Sequence, residues 1–420
     1  MNSLIHKIKN NTTVKNFGLV VASRFFSAGL YMVFTFLLMD FMSTKQFGQY
    51  SYLYALAGYV PFYVTLGINK SFTAFTSNLT NENEYKNYLG LFWKTKIVLS
   101  LIMLGLIIAH YLFVGIFVEF VVLLCGLTFG FTESFKSPAE SRKKFDYVAL
   151  VVPIRNVLLV AITFSLFWID KPSIKNVVVS LLAANVLNLV VTGILYLRKI
   201  GPFEYSSTLP FSTLFNHTKW IFVKEFLLNN LARIEIFALT YFITTGQIAE
   251  EERAYFSGAF TLCFVLPIIT NSLTKVLLPE VATLKASKSL KFYLSKIKRS
   301  LKLSIPIALA FYLTIYLVVN FYFRSKYQNS LPLFPCIILA TLISFYSNNI
   351  ALIFYREGKV QFIGIQAIIQ FIVGLIGCIT LIPLYGAMGA VISLLIVRVV
   401  GFVLVLSKTK KSLYGKAEFN

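Results

Sequence analysis

The chain has 420 residues, 57% of them hydrophobic and 13% charged, with a mean hydropathy of +0.75. Soluble domains run at about 45–50% apolar and about 25% charged, so this composition excludes a soluble enzyme, a disulfide-stapled secreted domain and a disordered chain. Lys and Arg outnumber Asp and Glu by 39 to 17, a net charge of +22, which must be set against membrane topology before nucleic acid is considered.

A membrane-spanning helix needs roughly 20 mostly apolar residues. Such stretches are predicted at about 17–39, 48–69, 97–114, 117–135, 147–168 and 176–197. They recur at about 221–243, 255–274, 303–323, 331–354, 360–382 and 386–406. The runs do not alternate in period two, so helices are expected rather than barrel strands. The weakest junction is Val114 to Phe117, where almost no polar turn separates two apolar runs. The expected fold is an all-α polytopic membrane protein of about 12 transmembrane helices in two six-helix bundles. The bundles are residues 1–197 and 221–420, joined by a cytoplasmic linker over 198–220 that Gly201-Pro202 and Pro210 break up.

With both termini in the cytoplasm, the inward segments carry 28 of the 39 basic residues, the outward loops 6, and five fall within spans. That bias orients the helices, absorbs most of the net charge and sets nucleic acid aside as a partner. The first apolar stretch contains Arg24 and ends in Leu38-Met39-Asp40 rather than a small-residue cleavage site, so no signal peptide is expected. Cys125, Cys263, Cys336 and Cys378 fall within predicted spans without metal-type spacing and read as packing residues.

The two halves resemble each other. Ser43-Thr44-Lys45-Gln46-Phe47-Gly48-Gln49-Tyr50-Ser51 follows the first span, and Thr244-Thr245-Gly246-Gln247-Ile248, an acidic insert and Tyr255-Phe256-Ser257-Gly258 follow the seventh. Ser141 to Val148 leads into the fifth span as Phe354 to Phe362 leads into the eleventh. Pairs six spans apart in the same orientation describe two parallel bundles with a substrate path between them.

Together with Leu66-Gly67-Ile68, Leu277-Leu278-Pro279-Glu280 and Ile382-Pro383-Leu384-Tyr385-Gly386-Ala387-Met388-Gly389-Ala390, these segments carry a resemblance over nearly the whole chain. In their order and spacing the sequence resembles the Wzx-type polysaccharide-repeat (O-antigen or capsule) flippases of the multidrug/oligosaccharidyl-lipid/polysaccharide exporter superfamily. The resemblance implies a non-enzymatic carrier in the bacterial inner membrane. Its cargo would be an undecaprenyl-diphosphate-linked oligosaccharide, moved from the cytoplasmic to the periplasmic leaflet by alternating access. The implied partners are that lipid-linked oligosaccharide, membrane lipids, and the polysaccharide polymerase and ligase machinery. No cofactor is implied, and coupling to a proton or sodium gradient stays open.

Buried charge points the same way without the resemblance. A mid-helix Lys or Arg costs about 2.5–3.5 kcal/mol on insertion scales and usually faces a cavity or a partner. Arg24, Arg155, Arg233 and Arg398 lie about eight to thirteen residues into the first, fifth, seventh and twelfth spans. The planar arginine fork suits a phosphate, so these four are the candidate cavity cations for a diphosphate and acidic sugars. The alternative is that each pairs with a carboxylate or carbonyl and only holds helices together. The seventh span carries Lys224, Glu225, Asn229, Asn230, Arg233 and Glu235, with Glu225, Asn229 and Arg233 on one helical stripe. Glu225 and Glu235 are candidate coupling or ion-pair sites, and Lys224 is placed to snorkel.

Asn229, Asn230, Asn185 and Asn188 are candidate polar lining; for Asn185, Asn188, Asn348 and Asn349, helix packing is favoured over bonding to sugars. Glu133 is a candidate gate partner of Arg142 or Lys143, the prolines Pro61, Pro153, Pro267, Pro306 and Pro335 are candidate kinks, and Gly126 and Gly130 form a GxxxG pair. Residues 285–302 interleave basic residues with Leu290, Leu294, Ile297 and Leu301 and read as an amphipathic helix on the membrane surface.

Two other functions compete. A drug or metabolite antiporter of the same superfamily would favour a cavity dominated by carboxylates, whereas here arginines predominate. A membrane polymerase or glycosyltransferase would need catalytic groups in large outward loops, and these are at most about eleven residues long.

Overall fold

The computed structural model describes residues 12–77, 79–169, 173–263, 266–267, 287–356 and 360–414. All regular structure among them is helical. Among the described residues, eight helices are long and apolar enough to cross a membrane, or nine when the bent pair Glu225–Leu231 and Ile234–Thr244 counts as one span. This is a multi-pass membrane protein. The chain divides into two compact units, one of Met1–Met42 with Leu53–Phe222, the other of Ser43–Tyr52 with Val223–Asn420.

The first unit holds α1 (Thr12–Phe41), the end of α2 (Thr44–Ala57), α3 (Val60–Thr65), α4 (Ile68–Thr76), α5 (Glu82–Val114), α6 (Phe117–Ser134), α7 (Lys136–Ser141), α8 (Phe145–Ile169) and α9 (Ile174–Lys199). The doubtful Val114–Phe117 junction is a real turn: Gly115, at φ +72°, ends α5 in the left-handed conformation that glycine adopts without a Cβ penalty. Small polar groups let α1 lie close along α8, with Ser23 Oγ donating to the Ala149 carbonyl at 2.5 Å and Ser27 Oγ to the Val152 carbonyl at 3.3 Å. Gly126 and Gly130 serve packing within this unit. A Cβ on Gly126 would stand 2.3 Å from the Ala57 carbonyl oxygen, and one on Gly130 would stand 2.8 Å from the Cα of Pro61.

The second predicted span, 48–69, is not one helix. It breaks after Ala57 and again at Leu66 and Gly67, both with positive φ. Pro61 opens α3, where its missing N–H costs nothing. Lys96, fully buried on α5, donates to the carbonyls of Val64 at 3.2 Å and Thr65 at 3.4 Å, satisfying groups that the break leaves without helical partners. An aromatic core lies at the α5–α9 contact. Trp93 meets Tyr196 at 5.5 Å, Phe135 at 5.3 Å and Phe203 at 4.9 Å between ring centroids. Phe203 belongs to the connection after α9, whose Ser206 carbonyl crosses α5 so closely that a Cβ on Gly90 would stand 2.0 Å from it.

The second unit holds the start of α2, α11 (Ile234–Thr244), α12 (Glu251–Leu262), α13 (Ser287–Leu317), α14 (Leu333–Arg356) and α15 (Val360–Tyr414), together with the end of α10 (Ser212–Leu231). The seventh predicted span is broken at Ala232 and Arg233 and bends by 45°. The helical stripe expected through Glu225, Asn229 and Arg233 is therefore interrupted at its last member. Residues 268–286, which include the end of the eighth span and Leu277-Leu278-Pro279-Glu280, lie outside the described residues, as do Glu357, Gly358 and Lys359.

The basic segment 287–302 is helical but is no separate element: it runs without a break into the ninth span as α13. Tyr293 and Ile297 of that stretch are buried, and Tyr293 donates to the Asn349 carbonyl at 3.0 Å. The eleventh and twelfth spans are the two helical arms of α15, and the chain reverses between them at Gly386 (φ +55°, ψ −129°). Its arms lie against each other through small residues and amides. Gln366 donates to the Gly401 carbonyl and Gln370 to the Val397 carbonyl, each at 3.1 Å, and Ser393 Oγ to the Gly374 carbonyl at 3.2 Å.

Candidate functional site

Where α8 passes between α1 and α9, the first unit holds a partly open cavity of about 170 Å³ with a mixed polar and apolar lining. Ser27 of α1, Glu133 of α6, Lys136 of α7, Arg155 and Asn156 of α8, and Asn188 of α9 face it, with Phe129, Val151 and Val152 as its apolar wall. Arg155, half-buried, donates from Nε to Asn185 Oδ1 at 2.7 Å and stands 4.5 Å over the Phe129 ring. Asn185 is itself buried, so the amide fixes the guanidinium in place. Glu133 pairs with Lys136 at 2.5 Å, one turn away, and not with Arg142 or Lys143 as the gate expectation had it. Arg142 instead reaches Glu82 at 2.5 Å and lies over the Tyr85 ring at 3.7 Å.

Asn156 donates from Nδ2 to the Ser27 carbonyl at 2.8 Å and to Ser27 Oγ at 2.9 Å, while its buried Oδ1 has no hydrogen-bond partner. Asn188, 3% exposed, accepts from Thr192 Oγ1 at 3.3 Å at its own Oδ1. Its NH₂ has no partner among the described residues. The Asn188 NH₂ is thus an unpaired donor at the cavity, whereas Asn156 Oδ1 is closed off by the atoms packed around it.

The remaining predicted residues lie elsewhere. Arg24, half-buried on α1, belongs to the first unit, whereas Arg233 and Arg398 belong to the second. Arg233 stands at the α10–α11 break and donates back to the Asn229 carbonyl at 3.0 Å and to the Asn229 side-chain oxygen. Asn230 likewise bonds within its own helix, to the Phe226 carbonyl at 2.8 Å. Glu225 is half-buried on α10, and the side chain of Lys224 lies outside the described residues. Glu235, buried at the start of α11, interacts electrostatically with Arg398, a half-buried side chain on the second arm of α15. Asn349 is buried and bonds its own helix at the Phe345 carbonyl, 2.9 Å away, and Asn348 is exposed.

Three residues escaped sequence reasoning. Asn156 follows Arg155 directly, but only the α1–α8 packing brings it to Ser27. Lys96 sits one residue before a predicted span and reads as a flank. Arg253 reads as an outward-loop cation, yet it is 5% exposed within α12, where Nη1 bonds Thr240 Oγ1 at 3.1 Å and the guanidinium stands 5.7 Å over Tyr52. Among the described residues, no group of three or more His, Cys, Asp or Glu could hold a metal ion.

Long apolar helices with polar side chains between them define the class: a helical multi-pass membrane protein with a partly polar cavity inside one bundle. Residues 13–285 match the model of the polysaccharide biosynthesis protein family, and the chain belongs to that family. In fold it is similar to the lipid II flippase MurJ in an inward closed conformation, at 16% identity and a TM-score of 0.70, with 93% of this chain and 87% of that one covered. It is also similar to an outward-facing multidrug resistance MATE family transporter of the MOP superfamily, at 11% identity and a TM-score of 0.66, with 97% of each chain covered. A third likeness is to a MOP superfamily transporter from Pyrococcus furiosus described as having a binding pocket of reverse polarity. There the identity is 12% and the TM-score 0.59, over 94% of this chain and 96% of that one. No curated protein sequence matches the chain.

Proposed function

We propose that the protein moves an undecaprenyl-diphosphate-linked oligosaccharide from the cytoplasmic to the periplasmic leaflet of a bacterial inner membrane, by alternating access between its two halves. The observation that carries this reading is the cavity of the first unit, where Arg155 is held near the middle of a membrane-length helix by Asn185 and faces a polar space. A cation kept there at a cost of several kcal/mol marks a ligand path. Membership of a polysaccharide biosynthesis family gives the cargo its glycan, and the fold shared with a lipid II flippase supports a lipid-linked form. Arg155 serves as a headgroup contact, Arg24 and Arg398 as further candidates. Arg233, already bonded to Asn229, serves mainly to shape the broken helix.

The same fold houses MATE transporters, so drug export is the second reading. Arg155 and Lys136 against a single carboxylate, Glu133, favour an anionic cargo over a cationic drug. Glu235 beside Arg398 is the candidate coupling group for a proton or sodium gradient.

The test is translocation of a lipid-diphosphate glycan in proteoliposomes, with and without ion gradients. A charge-assisted hydrogen bond contributes about 1.5–3 kcal/mol, so Arg155→Ala is expected to slow flipping by roughly 10- to 100-fold at unchanged insertion. An unaltered rate in that variant removes Arg155 from the path. Export of a cationic dye without glycan transport favours the second reading.

A further inference from the structure

We infer that residues 43–52, the start of α2, form a detachable strap that shuts the outward end of the transport path. The inference rests on the transport reading for what the strap encloses; its docking and release are read from the contacts themselves. In sequence the strap follows the first span, yet it packs with the second unit. It meets α12 and the turn before it, the segment 244–258 that repeats its pattern in the second half. Lys45 Nζ stands 2.9 Å from a Glu250 carboxylate oxygen. Gly48 lies so close to α12 that a Cβ on it would stand 3.2 Å from the Ala254 nitrogen and 3.4 Å from the Ala254 Cβ. The Arg253 guanidinium stands 5.7 Å over the Tyr52 ring. Phe47, buried, meets the ring of Tyr327 edge-on at 6.1 Å.

Two properties make this contact a closure and not a permanent seam. A carrier built from parallel repeats has its path between them, so the path is shut where equivalent segments of the two repeats touch. Docking also leaves polar atoms unmatched. Arg253 Nε, Ser257 Oγ and Tyr327 Oη are buried without hydrogen-bond partners among the described residues. Gly48 and Phe47 of the strap lie against Arg253 and Tyr327, and Ser257 follows Arg253 one turn along α12. A seam built to stay shut would pair such groups; lifting the strap returns them to water. What holds the strap down is modest by comparison: an exposed ion pair, one ring contact and the close approach at Gly48. With both termini in the cytoplasm, the strap lies on the outward side and controls release of cargo, not its entry.

The experiment uses the full chain, in lipid nanodiscs for thiol labelling and in proteoliposomes for transport. Ala254→Cys puts a thiol beneath Gly48, where a maleimide reaches it only when the strap has lifted. Labelling, corrected for the native cysteines, is expected to be slow and to rise roughly tenfold when Gly48→Val overpacks the contact. Lys45→Glu, which sets like charges against Glu250, should raise it a few-fold and keeps the comparison open if Gly48→Val does not fold. Gly48→Cys with Ala254→Cys places two Cβ atoms near the lower end of the disulfide range of about 3.5–4.5 Å. Oxidation of that pair should stop glycan translocation, and dithiothreitol should restore it. Labelling that is equally fast with the strap intact and wedged, or an oxidised pair that translocates as fast as the reduced one, overturns the inference. No translocation by the native protein, with the labelling difference intact, would sink the flippase reading and leave the strap standing.

Discussion

Glu252 accepts the backbone N–H of Ala387 on its carboxylate at 2.6 Å, across the turn where α15 reverses. A carboxylate at the start of a helix meets unsatisfied N–H groups and the positive end of the helix dipole. Gly386 beside it has φ +55°, and a Cβ there would stand 2.4 Å from a Glu252 carboxylate oxygen. Two residues earlier Glu250 pairs with Lys45 at 2.9 Å, and one residue later Arg253 bonds Thr240. The acidic insert and Arg253 thus tie the start of α2, the helix α11 and the turn of α15 together. Glu252→Ala is expected to lower stability by about 1.5–3 kcal/mol, measured by thermal unfolding in detergent. Gly386→Ala should cost at least as much, through backbone strain and displacement of the carboxylate.

The Lys45–Glu250 pair predicts a specific pH response. The hydrogen bond and charge of Glu250 hold the Lys45 pKa above its ordinary value. The linked stabilisation is therefore fully present below the ordinary lysine pKa of about 10.4 and is lost as pH rises through the raised value. Both side chains are largely exposed, so the effect is small and screened by salt. The melting-temperature difference between native protein and Lys45→Met should stay flat through neutral and mildly alkaline pH and shrink above that range. Lys45→Glu combined with Glu250→Lys should recover what either charge reversal loses.

Gly126→Leu should prevent folding of the first unit, because the added Cβ alone would overlap the Ala57 carbonyl at 2.3 Å. That carbonyl is backbone and cannot turn aside as a flexible side chain could. Size-exclusion profiles and protease resistance of the purified variant check this. A monodisperse, resistant Gly126→Leu protein would show that this helix contact is dispensable.

Trp93→Ala should cost about 3–5 kcal/mol, as aromatic truncations in packed cores do. The Phe203 ring rests on Trp93 at 4.9 Å, so the same change should loosen the connection after α9. Limited proteolysis between residues 201 and 211 is the readout, and cleavage there should speed up before global unfolding is seen. Gly90→Ala, which intrudes on the Ser206 carbonyl, should expose the same bonds with the aromatic core intact.

Arg233→Ala should lose stability as well as transport. Its guanidinium bonds the Asn229 carbonyl where the first helix of the pair runs out of N–H partners. Arg233→Lys, which keeps the charge without the fork geometry, should recover transport less than stability if Arg233 also meets the cargo. Recovery of both together assigns it to the helix break alone.

Much was legible along the chain because the bilayer imposes a simple rule: a span must be apolar over a fixed length and satisfy its own backbone. Hydropathy alone placed α1, α8, α9 and α14 close to their observed ranges and located the turns at Gly115 and Gly386. The breaks at Leu66–Gly67 and Ala232–Arg233 escaped it, because apolar composition continues straight through them. What marks them is a cation delivered to the freed carbonyls, Lys96 from a distant helix at one and Arg233 at the other.

The sequence by itself determined the membrane, the helices, the family pattern and the presence of cations that lipid should exclude. It could not say which cations face a cavity and which serve the backbone, since that depends on which helices pack around each one and where a helix breaks. Asn156 finds Ser27 only when α1 lies along α8, and Glu252 reaches Ala387 only when α12 meets the turn of α15. Composition decides what must be buried; tertiary packing decides which buried polar groups find partners and which are left without one.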